Sequence, residues 1–401
     1  MKDTPILSII VPTKNRYYYL WFLVEYFNAI TDSSIELIIQ DNSDDIEEHR
    51  AFYEKVRDLN DSRIKYNYVH ESLSVIENSD RALYNATGDY VCFIGDDDIF
   101  SKTILNFISE IKEKDIDAVF PLNSSYSWPD IHSRLYGDKL SGKFTQTNIT
   151  GEIVKETPKK LLDKVLKLGG TDIINLPRVY HGIVKLSVLK KIYERTGSFF
   201  PGPSPDMANA VALCNYVNRF IIIDIPFVVS GHSSKSTGGQ GAAGKHFGEI
   251  RNIKHLPSDT ADKWTPEVPF YWSGYTIYAE SVIQALKRLG LSDELKTLNF
   301  NYLYATCLVF DVPFKDRIVK TMKENQSISK LTILFNYCLI WAKRIRFHLS
   351  ANLQYILPEK NTKRIFKKQN IQEVAELNDK QILEFYNKNG KQYLNNNLPK
   401  F

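Results

Sequence analysis

Three carboxylates stand in a row at Asp96, Asp97 and Asp98, directly after an apolar run at 90–94 and Gly95. Packed side by side they repel one another, which disfavours ionisation unless a cation sits among them. Mg2+ or Mn2+ suits such a place, because hard cations take carboxylate oxygens and keep positions for substrate phosphates. The simpler alternative is that Asp98 caps the next helix and its neighbours are solvated. Two further polar clusters follow apolar runs in the same way: Pro12-Thr13-Lys14-Asn15-Arg16 and Asp41-Asn42-Ser43-Asp44-Asp45.

The elements that would position these clusters alternate. Residues 6–11 (ILSIIV) are a continuous run rich in β-branched side chains, as expected of a strand buried on both faces. Similar runs lie at 35–39, 64–69, 90–94 and 118–122, with amphipathic helical segments at 17–29, 46–59, 75–86 and 102–113 between them. Ser74 and Glu77 have the spacing of a capping box. The alternation implies α/β architecture with a mostly parallel, Rossmann-like sheet flanked by helices. In such sheets ligands bind beyond the carboxyl ends of the strands, where strand order reverses, and all three polar clusters fall on that edge.

The segments SIIVPTKNR, IIQDNSDD and ENSDRALYNATGDYVCFIGDDD together resemble the nucleotide-sugar domain of family 2 glycosyltransferases, which have the GT-A fold. The resemblance covers the first 120 residues well and thins towards Gly244. It implies a nucleotide-sugar donor, usually a UDP-sugar, and a divalent metal. It places Pro12, Thr13 and Asn15 beside the nucleotide, Asp41 on the base, and Arg81 near base or phosphate with Asn78 close by. The acid run corresponds to the family's DxD element, although Gly95 stands where an Asp is commonest. In that register Asp97 is the metal ligand, Asp96 the ribose contact, and Asp98 a ligand directly or through water. Read without the resemblance, Asp41 is a turn residue and Arg81 an exposed helix residue facing Glu77.

An inverting transferase also needs a general base for the acceptor hydroxyl. The family places an Asp at a helix start after the later strands, and Asp206 in Pro205-Asp206-Met207 fits; it would also serve as an N-cap. Asp172 and Asp224 are weaker candidates. The segment Gly231-His232-Ser233-Ser234-Lys235-Ser236 offers His232 to the metal and Lys235 and Ser236 to phosphate. Gly238, Gly239, Gly241 and Gly244 would let this loop close over the donor. Trp128, Tyr180, His181 and the pair Phe199 and Phe200 are aromatic groups able to stack on an acceptor sugar.

The remaining sequence sets bounds. Its 401 residues, 43% hydrophobic and 24% charged, suffice for more than one core. A net charge of +4 is too mild to indicate nucleic acid, and the four scattered cysteines form no CxxC pair. The first residues do not read as a signal peptide, and no run reaches about 18 apolar residues. These features lead us to expect a cytoplasmic protein. Residues 1–250 are expected to form the transferase domain, split into donor (1–122) and acceptor (123–250) halves, with 266–401 a helical module. Between Pro313 and Lys368 there are 13 Lys/Arg against 3 Asp/Glu. That bias suits the anionic inner face of the cell membrane, where a lipid-linked glycan acceptor would lie, or else a solvated face and homo-oligomer packing. The expected activity is sugar transfer to a glycan or lipid-linked acceptor in surface polysaccharide synthesis. A sugar-1-phosphate nucleotidyltransferase or a Rossmann dehydrogenase would carry glycines straight after the first strand, and none stands there. A non-catalytic transferase-like scaffold is the other rival.

Overall fold

The computed structural model describes residues 4–132, 137–236, 247–354, 364–390 and 393–401. The first half runs β1 (Leu7–Thr13), α1 (Tyr17–Asn28), β2 (Ile35–Asp41), α2 (Ile46–Asp58), β3 (Ile64–Tyr68), α3 (Val75–Tyr84), β4 (Tyr90–Phe93), β5 (Ile99–Phe100), α4 (Ile104–Glu113), β6 (Ala118–Pro121), β7 (Ser124–Ser127), β8 (Lys143–Gln146) and β9 (Ile153–Glu156). There follow α5 (Pro158–Lys167), β10 (Ile183–Lys185), α6 (Leu186–Thr196), α7 (Pro205–Leu213), β11 (Phe220–Ile223) and β12 (Val228–His232). The last third adds α8 (Gly274–Leu289), α9 (Phe300–Phe310), α10 (Lys315–Glu324), α11 (Lys330–Gln354), β13 (Arg364–Lys367), α12 (Ile371–Asn389) and α13 (Tyr393–Asn397).

Eight strands form one sheet in the order β3-β2-β1-β4-β10-β6-β11-β9. Strands β3, β2, β1 and β4 are mutually parallel, as are β6 and β11, while β10 and β9 run antiparallel to their neighbours. The alternation of strand side chains sends Ile9, Val11, Leu37 and Ile39 to one buried cluster and Ile10 and Ile38 to another. Both faces are therefore covered, which is why β1 reads as unbroken hydrophobic sequence. The expected capping box is present, with Ser74 and Glu77 satisfying each other's backbone N–H groups at the start of α3.

A second sheet, ordered β13-β8-β7-β12-β5, lies beyond the carboxyl ends of the first. The chain steps from the large sheet to the small one three times, at β4 to β5, β6 to β7 and β11 to β12. Residues 123–150, polar and weakly periodic in sequence, supply β7 and β8, an antiparallel pair.

The segment 266–401 does not stand apart as a helical module. Helices α8 and α9 share one core cluster with α3 and α7, and β13 pairs with β8 in the second sheet. Helix α12 packs back on earlier parts of the chain: Asn378 Nδ2 donates to the Pro226 carbonyl (2.8 Å), and Asp379 accepts from Tyr26 (2.9 Å) and Ser101. Each of these bonds buries a polar group with a partner, which isolated helices in water would not need.

Candidate active site

The acid run occupies the step from β4 to β5, so it lies on the seam between the two sheets. It also lies beside the carboxyl end of β1, where the order of strands reverses and α/β sheets open a crevice. All three carboxylates are buried. Such burial is tolerated only with partners, and each Asp has a different set.

Asp96 Oδ2 accepts from Thr13 Oγ1 (2.6 Å) and from Arg16 Nε (2.9 Å). Its Oδ1 lies 2.6 Å from Arg16 Nη2 but makes no well-directed hydrogen bond. Burial pushes this carboxyl up to about 7, while the Arg16 charge opposes the shift. Asp97 Oδ2 accepts from the Ser233 backbone N–H (2.9 Å), and its Oδ1 is left with Arg16 Nη1 at 3.6 Å. Asp98 does not cap α4, whose N-cap is Thr103. It accepts instead from the N–H groups of Gly95 (2.6 Å) and Gly231 (2.7 Å) and lies 2.6 Å from His181 Nε2. Burial raises both Asp97 and Asp98, but for Asp98 the His181 contact and the N–H donors outweigh it. Asp97 is thus held above the ordinary carboxylate range and Asp98 below it.

Two glycines make this packing feasible. A Cβ on Gly231 would fall 1.7 Å from the Asp97 carbonyl oxygen, so only glycine lets β12 lie against the acid run. A Cβ on Gly95 would fall 3.1 Å from both Asp97 Oδ1 and Asp98 Oδ2 and 3.3 Å from the Tyr180 hydroxyl. An Asp there would crowd the other carboxylates.

Tyr180 and His181 are placed by their own backbone pairing with β4. His181 N donates to the Phe93 carbonyl (2.9 Å), and His181 holds a positive φ of 59°. The Tyr180 ring stacks on His181 at 4.0 Å and its hydroxyl reaches Asp98 Oδ2 at 3.3 Å. Both therefore hold an acid of the run. Trp128 is buried and donates its indole N–H to the Asp97 carbonyl (3.0 Å).

Asp206 stands in the first turn of α7, next to Pro205 at the N1 position; the N-cap is Ser204, not Asp206. Burial holds its carboxyl above the ordinary range, Arg178 and His181 oppose this, and Asp98 adds to it. Asp206 and the acid run thus share one electrostatic field. The turn before α7 is braced from behind, because Ser204 N donates to Ser281 Oγ of α8 (2.8 Å).

Other expected site residues lie as follows. Pro12 is the penultimate residue of β1, paired with Gln40. Asn15 exchanges side-chain and backbone bonds with Asp44 and donates its N–H to Ser43 (2.8 Å). Asp41 turns towards α1 and α2, accepting from Tyr17 (2.6 Å), Tyr66, and the Ser43 N–H (2.8 Å) and hydroxyl (2.6 Å). Asn78 Nδ2 reaches the Thr13 carbonyl at 3.5 Å. Arg81 is exposed on a separate cavity of about 690 Å3 with Gln40, Asn67 and Tyr84, which shares no lining residue with the acid run. His232 gives its carbonyl to Trp128 N. Lys235 Nζ donates to the Asn15 carbonyl (3.4 Å), and Ser236 Oγ to that of Ser233 (2.9 Å). Gly238, Gly239, Gly241 and Gly244 lie outside the described residues. Asp172 serves a local turn, and Asp224 accepts from the distant N–H groups of Thr150 (2.8 Å) and Gly151 (2.9 Å).

Sequence reasoning missed Arg16, Arg178, Ser233 and the role of Gly231. Arg16 was visible as a cation in the cluster after β1. Nothing in the sequence aimed it at Asp96, 80 residues away. Beside it opens a cavity of about 620 Å3, lined among others by Tyr17, Tyr19, Trp128, Asp130 and Lys235.

The model of glycosyl transferase family 2 matches residues 8–163. Over this segment the chain is similar to that family. The match takes in the acid run, Thr13 and Arg16 but ends within α5, so Asp206, His181 and Gly231 lie beyond it. No curated protein matches the chain. Among solved structures it is similar to S. aureus TarS 1–349 in complex with UDP, at 18% identity over 59% of this chain and 62% of that one, with a TM-score of 0.37. The structure of S. aureus TarS is 15% identical over 79% of this chain and 53% of that one, at 0.41. TarS 1–349 in complex with UDP-GlcNAc gives 15% over 79% and 88%, also at 0.41. The chain thus spans less than two thirds of the first two.

The Arg16 guanidinium is the countercharge for two buried acids; burial works against its charge, but Asp96 and Asp97 hold it firmly protonated. Arg16→Ala should lower unfolding stability near neutral pH by about 3–5 kcal/mol, the usual penalty for stranding a buried charge. Asp96, its folded pKa raised, favours the folded state below its unfolded pKa and loses that contribution as pH rises through about 7. The deficit of the variant should therefore shrink as pH falls. Urea unfolding of both proteins across pH checks this; a deficit below about 1 kcal/mol at neutral pH would count against the pairing.

Proposed function

We propose that the protein is an inverting glycosyltransferase that takes a sugar from a nucleoside-diphosphate donor, most simply a UDP-sugar. The acceptor is a hydroxyl of a glycan or lipid-linked saccharide in surface polysaccharide synthesis, at the inner face of the cell membrane. The carrying observation is the pairing of a buried acid run at the switch point with Asp206, a second carboxylate in the same field on the opposite half. One acidic group is suited to the leaving diphosphate and a separate one to the incoming hydroxyl.

Asp97 is the carboxylate best suited to Mn2+ or Mg2+. Its Oδ1 is the least engaged oxygen of the run, and burial raises its carboxyl, so its ionisation is favoured by another positive charge. Among the described residues no three His, Cys, Asp or Glu side chains form a metal cage. Mg2+ characteristically needs only one or two carboxylates, with phosphate and water completing the shell. Asp97 would hold the ion, with Asp98 or His232 at most through water, and the ion would supply countercharge to the diphosphate. Asp96, fixed by Thr13 and Arg16, faces the ribose side. Arg16 and Lys235 give the adjoining cavity wall the positive charge that a diphosphate requires.

In the attack step Asp206 takes the proton from the acceptor hydroxyl as its oxygen bonds to the anomeric carbon and the donor's glycosidic C–O bond breaks. The Arg178 charge opposes the effect of burial and so favours the ionised, proton-accepting form of Asp206. A panel of UDP-, GDP- and CDP-sugars, scored for hydrolysis and for thermal stabilisation with and without Mn2+, tests the reading. One nucleotide should stand out in both assays; no response to any would favour the scaffold.

A further inference from the structure

Helix α11 (Lys330–Gln354) has two apolar faces. One, carrying Ile333 and Ile340, is buried in the core cluster it shares with α9, and the flanking Tyr337 and Trp341 pack against that cluster. The other is in solvent. Leu331, Phe335, Cys338, Ala342, Ile345 and Leu349 follow one another at separations of four and three residues, which places them on a single stripe. Leu331, Leu334, Phe335, Leu339, Ile345 and Leu349, on and beside the stripe, are between 41% and 81% exposed. Exposed leucines scattered singly need no explanation, but a continuous stripe along one helix does.

The charge around the stripe is one-sided. The helix carries Lys330, Lys343, Arg344 and Arg346 and no Asp or Glu. Arg344 is turned inward, over the Phe310 and Trp341 rings and on to the Val309 carbonyl. Lys343 and Arg346 are exposed, and the helical repeat puts them along one flank of the stripe with Lys330 on the other. A second copy of this helix would bring the same cations against themselves with no acid to meet them. An anionic lipid surface offers what both parts of the face require: a hydrocarbon boundary for the stripe and phosphate headgroups for the cations. No described helix is long and apolar enough to cross a membrane, so α11 would lie along the surface.

We propose that this outer face of α11 is a membrane-docking surface that lies flat on anionic lipid. The proposal is independent of the donor chemistry, since binding is read without turnover. Cys338 sits within the stripe and is exposed, whereas Cys92, Cys214 and Cys307 are buried, so an environment-sensitive dye can be placed on the face itself. With vesicles of phosphatidylcholine mixed with phosphatidylglycerol the dye emission should shift to the blue and the unlabelled protein should co-sediment. Phosphatidylcholine alone should give neither. Leu331→Asp with Ile345→Asp, and separately Lys343→Glu with Arg346→Glu, should weaken co-sedimentation about tenfold or more while thermal unfolding stays unchanged. Absence of binding to the anionic vesicles, or equal binding by both variants, would overturn the proposal. So would a wild-type dimer in light scattering that the Asp variant splits and that ignores vesicles; that result would assign the face to a second copy.

Discussion

Asp206→Asn is expected to lower kcat for sugar transfer by about 10²–10⁴, the range set by losing a positioned general base, while leaving donor affinity unchanged. The separation follows from the geometry. Asp206 sits at the start of α7, braced by Ser281 of α8, and makes no direct bond to the acid run. Its replacement removes a proton acceptor but not a donor-side contact. The pH profile gives a second readout. The base works when ionised, and burial raises its pKa above the ordinary carboxylate range. Activity should therefore fall as pH falls, along a limb lying higher than a solvated aspartate would give. If donor binding collapses in the variant, Asp206 has a structural or donor-side duty and the assignment fails.

Asp97→Asn should reduce metal-dependent donor hydrolysis and transfer by about 10²–10³, the scale of one lost electrostatic contact to developing charge. The fold should survive. The Asn amide oxygen can still accept from the Ser233 N–H, and the substitution removes a buried charge whose ionisation is disfavoured. Thermal unfolding should stay level or rise slightly without metal, and the stabilising effect of added Mn2+ should disappear. Wild-type turnover in this variant would sink Asp97 as the metal ligand. An equal loss in Asp98→Asn would not restore it, because Asp98 ties together Gly95, Gly231 and His181 and its replacement disturbs the seam itself.

The first 122 residues were the legible part of this chain. Strands β1, β2 and β4 are buried on both faces, so ILSIIV and its counterparts announce themselves by composition, and the capping box at Ser74 and Glu77 is a local signal. The crevice at the ends of β1 and β4 follows from the order of elements. What lay hidden was everything that depends on distant pairing. Strand β10 has three residues and slots antiparallel between β4 and β6. No periodicity can reveal three residues, nor the single bridge to Phe93 just before them that brings Tyr180 and His181 to Asp98. Gly231 stood in a stretch that reads as mobile, and its reason for being glycine is a backbone 134 positions earlier. The start of α7 was misplaced for a local reason: Pro205 takes N1, so the cap moves back to Ser204.

The return of the last segment onto the second sheet bears on how the protein is made. Ser101 and Ser124 lie next to the acid run and the first crossovers, but their partners Asp379 and Asn378 come 278 and 254 residues later. Strand β8 likewise waits for β13. A ribosome that has delivered the acid run and Asp206 has therefore not yet delivered the groups that finish the sheet around them. The nascent chain exposes an unpaired strand edge and stranded hydroxyls until β13 and α12 have emerged. Long-range closure of this kind is slow and aggregation-prone. Chains shortened at the carboxyl end should accordingly be lost to proteolysis or inclusion bodies, rather than accumulate as soluble, donor-binding fragments.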